Sequence, residues 1–173
     1  VYFAGHGLVD QETDEGYWLP KDAEADDDTN YISNNYLRNK IKAMSAKNIL
    51  LVADSCFSGS LVTRGISLNS VAEDSTPNSA LEKYVKTKSR IAITSGGLKP
   101  VMDGGGGQHS VFAKSFIDAL AENENPITSS ELYLRVRDKV TETTIALGVD
   151  QTPVRGELPN GGHEGPDFVF LPN

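Results

Sequence analysis

An α/β fold built around a largely parallel central sheet is predicted for this 173-residue chain, and three observations carry the prediction. First, Ile49-Leu50-Leu51-Val52-Ala53 is apolar without interruption, as expected of a strand buried on both faces. Second, Val1–Ala4 and Ile91–Thr94 are further short β-type runs. Third, segments with helical spacing of apolar residues alternate with these runs.

The elements follow in order. Val1–Ala4 reads as a strand entered partway, because a buried central strand would carry two or three more apolar residues before it. A preceding portion is therefore expected to be missing. Gly16–Pro20 is a small apolar anchor that leads into an acidic loop, Lys21 to Asn30, containing the run Asp26-Asp27-Asp28. Ser33 caps a helix predicted to run to about Ala46, with Leu37, Ile41 and Met44 on its apolar side. Asn48–Asp54 is the second strand. Residues 60–88 show no sustained period and contain Pro77, so a long loop is expected, of the kind that is often functional. Arg90–Ser95 is the third strand and ends at Gly96-Gly97. After the Gly104–Gly107 turn, Ser110 caps a helix with Val111, Phe112, Phe116, Ile117 and Leu120 on its apolar side. The pattern Thr128-x-x-Glu131 is a capping box that starts another helix, carrying Leu132, Val136 and Val140. Asp167–Leu171 is the expected last strand.

Composition narrows the function classes. At 38% hydrophobic residues, 1–173 suits a single domain with a substantial core. Asp and Glu outnumber Lys and Arg by 24 to 16, for a net charge of −8, so no broad basic surface is available for nucleic acid. An acidic chain attracts cationic substrates instead. No apolar run approaches the roughly 20 residues of a membrane span, and no signal peptide is visible, so a cytoplasmic location without membrane contact is expected. The Gly104–Gly107 run lacks the Lys-Ser or Lys-Thr of a phosphate-binding loop. No Cys and His spacing suggests zinc, and no metal site is assigned. His109 and His163 adjoin no plausible nucleophile and are read as structural.

Two short motifs carry the chemistry: Phe3-Ala4-Gly5-His6-Gly7 and Asp54-Ser55-Cys56-Phe57-Ser58-Gly59. Each follows a β-type run, which sets His6 and Cys56 at the carboxyl ends of strands, where ligands of α/β sheets bind. Cys56 is the sole cysteine and so cannot form an internal disulfide. A free thiol is only a few per cent ionised at neutral pH, with a pKa of about 8.5, and a hydrolytic cysteine needs a base beside it. His6 is that candidate base. In the expected mechanism Cys56 attacks a peptide carbonyl, His6 protonates the leaving amine, and water hydrolyses the acyl-enzyme. Gly7 N–H and Cys56 N–H are the candidate oxyanion donors, since glycine lets backbone approach the substrate oxygen.

Together these motifs resemble the caspase-like cysteine peptidase superfamily, in its metacaspase, paracaspase and bacterial orthocaspase branches. The likeness continues through Tyr17–Ala23, Thr94–Gly97, His109–Phe112 and Gly165–Phe170. The resemblance implies a three-layer αβα sandwich whose opening strand, helix and strand are absent here, leaving an N-terminal segment or a second chain to complete the sheet. It implies that Asp54 floors the S1 pocket and selects Arg or Lys, a preference that charge-assisted hydrogen bonding explains. The expected partners are proteins or peptides with basic residues. Ser95, in the segment along which substrate would add as a strand, is a second S1 candidate. Arg64 occupies the region where such enzymes are often cut during activation and is the candidate self-cleavage site. Ala4 stands where the pattern often has Ser. Where some members carry a calcium-binding Asp pair, this chain has Ile32-Ser33-Asn34-Asn35, so calcium independence and no cofactor are expected. Three alternatives stand beside this reading: a catalytically silent interaction or regulatory module, a protease selecting Asp at P1 through Arg64 or Arg90, and a thiol acyltransferase or esterase on a similar sheet, indifferent to P1 charge.

Overall fold

The computed structural model describes residues 1–56, 58–64, 86–97, 101 and 104–172. Its central sheet has five strands in the order β1 (Tyr2–Ala4), β5 (Asn48–Asp54), β7 (Ser89–Thr94), β11 (Val154–Glu157) and β6 (Thr63–Arg64). The first three run parallel, while β11 and β6 each pair antiparallel to their neighbour. The predicted α/β sandwich is thus present. β11 was not anticipated, because Val154-Arg155-Gly156-Glu157 shows neither an apolar run nor clean alternation.

The sheet divides two cores by the period-2 geometry of its strands. Leu50 and Val52 of β5, with Ile91 and Ile93 of β7, face the helices α2 (Val111–Ala121) and α3 (Ser129–Ala146), meeting Phe112, Phe116, Leu132, Val136 and Val140. Ile49, Leu51 and Ala53, with Ala92, face the other way, against Ile41 of α1 (Asn34–Ala43), Trp18, Leu61 and Leu158. Burial on both sides explains the unbroken hydrophobicity of β5 and gives the three layers.

Every predicted helix start is found. Ser33, Ser110 and Thr128 accept hydrogen bonds from the backbone N–H groups of Tyr36, Ala113 and Glu131, and Thr128 with Glu131 forms a full capping box. The end of α1 differs from expectation: it stops at Ala43, and Met44 is exposed. Beyond that end, the fully buried Arg90 guanidinium donates to the carbonyls of Met44, Ala46, Lys47 and Ser89, satisfying backbone acceptors of the segment between α1 and β5. Ile117, expected on the apolar side of α2, lies 49% exposed.

Three strands outside the central sheet, β2 (His6–Val9), β3 (Gly16–Leu19) and β4 (Ile32–Ser33), form an antiparallel layer that turns the apolar anchor into a strand. Trp18 stacks on Phe3, ring centroids 4.1 Å apart, which locks this layer against β1. The final strand, β12 (Val169–Phe170), is shorter than expected and pairs with β10 (Ile127–Thr128). Of the 60–88 loop, residues 65–85 lie outside the described residues.

Asp167 ties that C-terminal segment to the core. Its carboxylate takes Arg155 at 2.7 Å, the Ser130 N–H at 3.0 Å and the Phe168 N–H at 2.7 Å, together with the hydroxyls of Ser129 and Ser130. Burial opposes its ionisation, but Arg155 and the serine donors prevail and hold the carboxyl below its ordinary range. A carboxyl depressed by folding stabilises the fold above its unfolded pKa, and that stability is lost as pH falls through the acid carboxylate range. Urea unfolding at pH 7 and pH 3 is therefore expected to show a drop that Asp167→Asn flattens. Because Arg155 would be left buried without its partner, Asp167→Ala is expected to cost about 3–5 kcal/mol at pH 7.

Candidate active site

The parallel pairing of β1 with β5 builds the site. Ala4 lies opposite Asp54, and the Gly5 N–H donates to the Asp54 carbonyl at 3.3 Å, which carries the pairing one residue past the strand ends. His6 and Cys56 each follow two residues beyond that matched pair. His6 is exposed, at the start of β2, and Cys56 is half-buried just after β5.

Gly7 brings the two motifs into contact. A Cβ at this position would sit 2.3 Å from the Cys56 carbonyl oxygen and 2.7 Å from Ser55 Oγ, distances that no side chain tolerates. Only glycine lets β2 lie this close to the Ser55–Cys56 backbone. The direction of its N–H follows from the hairpin. Asp10 N–H donates to the Glu15 carbonyl at 2.9 Å, and in that register Leu8–Tyr17 and His6–Leu19 are hydrogen-bonded pairs while Gly7–Trp18 is not. The Gly7 N–H therefore points out of the ladder.

The strand end under Cys56 is braced from β7. Ser95 is fully buried; its Oγ accepts from Ser55 N–H at 3.1 Å and donates to the Ser55 carbonyl at 3.3 Å. The Ser95 carbonyl in turn accepts from Gln151 Nε2 at 2.9 Å. The Ser95 hydroxyl thus faces Ser55 backbone, and this segment supports the cysteine turn.

Asp54 is half-buried at the end of β5. Its Oδ2 accepts from Ser110 Oγ at 2.5 Å and from the Tyr2 hydroxyl at 3.5 Å. Burial, then the charge of Asp54 and the hydrogen bond to it, push the Tyr2 phenol up to about 12. Sequence reasoning found Ser110 as a helix cap within the His109–Phe112 likeness, with no link to Asp54, and passed over Tyr2. The signal that could have exposed the contact is topological, since helix N-termini in α/β folds gather where strands end.

A cleft of ≈ 550 Å³ opens beside His6, walled by Phe3, Ala4, Leu19, Pro20 and Tyr31. Arg90 lies far from it, at the opposite end of the sheet beside Ile49, fully buried and engaged with backbone carbonyls, so it is out of reach of a P1 aspartate. The backbone of Arg64 is paired with Gly156 in the outermost strand, β6. Asn34 donates to Ser60 Oγ at 2.9 Å, and Asn35 donates through its N–H to Glu15 at 2.8 Å. His163 Nδ1 accepts the Arg90 N–H at 3.1 Å, a structural duty, and His109 sits in β9 (His109–Ser110), paired with β8 (Gly105–Gly106). Among the described residues no three His, Cys, Asp or Glu side chains form a metal-holding group, and no helix is long and apolar enough to cross a membrane.

Comparison with known proteins adds one finding. A family model described as the caspase domain matches residues 1–157, which takes in both motifs, β7 and β11. No curated protein matches the chain.

Proposed function

The chain belongs to the caspase domain family and is a cysteine endopeptidase, and from that premise we propose that it cleaves after Arg or Lys with Cys56 as nucleophile and His6 as base. In the proposed cycle His6 takes the thiol proton as Cys56 Sγ bonds to the peptide carbonyl carbon. The oxyanion is held by the N–H groups of Gly7 and Cys56. Collapse breaks the C–N bond, His6 returns the proton to the departing amine, and a thioester remains. Water, deprotonated by His6, then releases the carboxylate product and restores the thiol.

The observation that carries this reading is the approach of Gly7 to the Ser55–Cys56 backbone, which gathers both motifs at one end of the sheet. The basic preference rests on Asp54, the carboxylate on the strand that leads into Cys56. A buried Arg90 argues against the acidic alternative. No cofactor enters the scheme. Calcium independence belongs to it as well: Asn34 and Asn35 carry no charge, and Asn34 turns its amide donor to Ser60.

Self-processing at Arg64 is also proposed. Leu61 and Val62, just before it, are buried, and Arg64 itself is laddered to β11, so a cut there requires β6 to leave the sheet. Protein or peptide substrates with basic residues are the proposed partners, and nucleic acid and membranes are not. The outer edge of β1, where Val1 and Tyr2 are exposed, supports pairing with one further strand from an N-terminal segment or a second chain.

The test is hydrolysis of fluorogenic peptides ending in Arg, Lys or Asp, with calcium and then with chelator. Arg and Lys peptides are expected to be cleaved in both conditions. Asp54→Asn is expected to lower kcat/KM on the Arg peptide about 100-fold by removing a charge-assisted contact. Cleavage of the Asp peptide at an equal rate, or an Arg preference untouched by Asp54→Asn, would sink the specificity assignment.

A further inference from the structure

The geometry points to Ser110 as a positioning residue for substrate selection: the cap of α2 holds the Asp54 carboxylate in the orientation that receives a basic P1 side chain. The inference rests on the proposed S1 role of Asp54.

One hydroxyl makes two bonds in different directions. Ser110 Oγ accepts the Ala113 N–H at 2.8 Å, as an N-cap does, and donates its proton to Asp54 Oδ2 at 2.5 Å. A cap needs only the acceptor role, so the donor is available at no cost to the helix. The bond to Asp54 is at the short end of the range for O–H···O contacts. It also sets the carboxylate beside the N-terminus of an eleven-residue helix. Tyr2 reaches the same oxygen from β1, so Oδ2 is approached by hydroxyls from two separate elements.

The local fold is arranged to deliver that hydroxyl. Gly105–Gly106 pairs with His109–Ser110 in a tight hairpin, and a Cβ on Gly106 would lie 2.5 Å from the Ser110 carbonyl oxygen. The helix is anchored through Val111 and Phe112, both buried under β5 and β7. Ser110 is therefore fixed by packing, and its grip on Asp54 transmits that rigidity to a side chain at the mouth of the site.

Recognition of a guanidinium or ammonium by one carboxylate depends on where its oxygens stand. Without the Ser110 bond Asp54 Oδ2 loses the shorter of its two described hydroxyl donors, and basic substrates would bind more weakly while the thiol chemistry stayed intact.

Ser110→Gly separates this role from capping, because glycine at an N-cap costs only a few tenths of a kcal/mol relative to serine. In the full chain Ser110→Gly is expected to raise KM for the Arg peptide about tenfold with kcat within about twofold. Its rate of Cys56 alkylation by iodoacetamide, which does not use the S1 pocket, is expected to stay unchanged. Ser110→Thr, which keeps a hydroxyl, is expected to restore KM. Tyr2→Phe is expected to raise KM in the same sense by a smaller factor. In Asp54→Asn, adding Ser110→Gly is expected to cost nothing further, since the two act through one carboxylate. A parental KM in Ser110→Gly, an equal slowing of alkylation, or full additivity with Asp54→Asn would each overturn the inference. An Asp54→Asn chain that keeps its Arg preference would instead overturn the S1 assignment beneath it.

Discussion

Cys56→Ala is expected to lower kcat/KM on an Arg peptide by at least about four orders of magnitude, with the thermal midpoint moving by less than about 2 °C. Both halves of that expectation have a structural basis. The cysteine is half-buried beyond the end of β5, outside the two core clusters, so deleting its sulfur opens no core cavity. The turn that bears it is held through backbone, by the Ser95 hydroxyl on Ser55 N–H and carbonyl, and those bonds survive the change. What is lost is the atom that forms the acyl-enzyme, and no neighbouring side chain can replace it, because this is the sole cysteine. The same fact makes the control clear: iodoacetamide is expected to label the parent chain once and Cys56→Ala not at all. Residual turnover above about one part in a thousand would transfer the nucleophile to another group.

The readability of this chain varied by element for physical reasons. β5 and β7 announce themselves because burial on both faces demands continuous hydrophobicity, and the three helix starts because a cap requires a small oxygen-bearing side chain at one position. β11 was hidden: Arg155 and Gly156 are buried in it, one satisfied by Asp167 and Ser129 from distant segments, so a tertiary partner overrides the local pattern. The segment after α1 was hidden in the same way, since its carbonyls are met by Arg90, some 44 residues away. At the site, His6 and Cys56 were legible as motifs at strand ends. The bracing of the cysteine turn was not, because Ser95 and Gln151 act through hydrogen bonds 40 and 56 residues long in sequence.

Gly7→Ala is expected to be nearly as damaging to turnover as loss of the thiol, although it removes no reactive group. The new methyl would stand 2.3 Å from the Cys56 carbonyl oxygen, which is backbone and cannot swing aside. β2 is equally constrained on its other side, paired residue for residue with β3 from His6 to Val9, and β3 is anchored by buried Trp18. Relief must come from separating the His6 strand from the cysteine turn by about 1 Å, and displacements of that size in a reacting geometry cost on the order of 100-fold. The shift would also carry the Gly7 N–H away from the position where it is proposed to meet the oxyanion, worth a further factor of about 100. A fall in kcat of about 10³- to 10⁴-fold is therefore expected, with KM for the Arg peptide within about threefold, because Asp54 lies on β5 and Ser110 caps α2, and neither is pushed. Gly5 supplies the comparison. A Cβ there would meet the Phe3 ring first, at 2.8 Å, side-chain atoms rather than the backbone of the cysteine turn, so Gly5→Ala is expected to retain more activity than Gly7→Ala. Equal losses in the two variants would mean that the closeness of β2 to the cysteine turn has no bearing on the reaction.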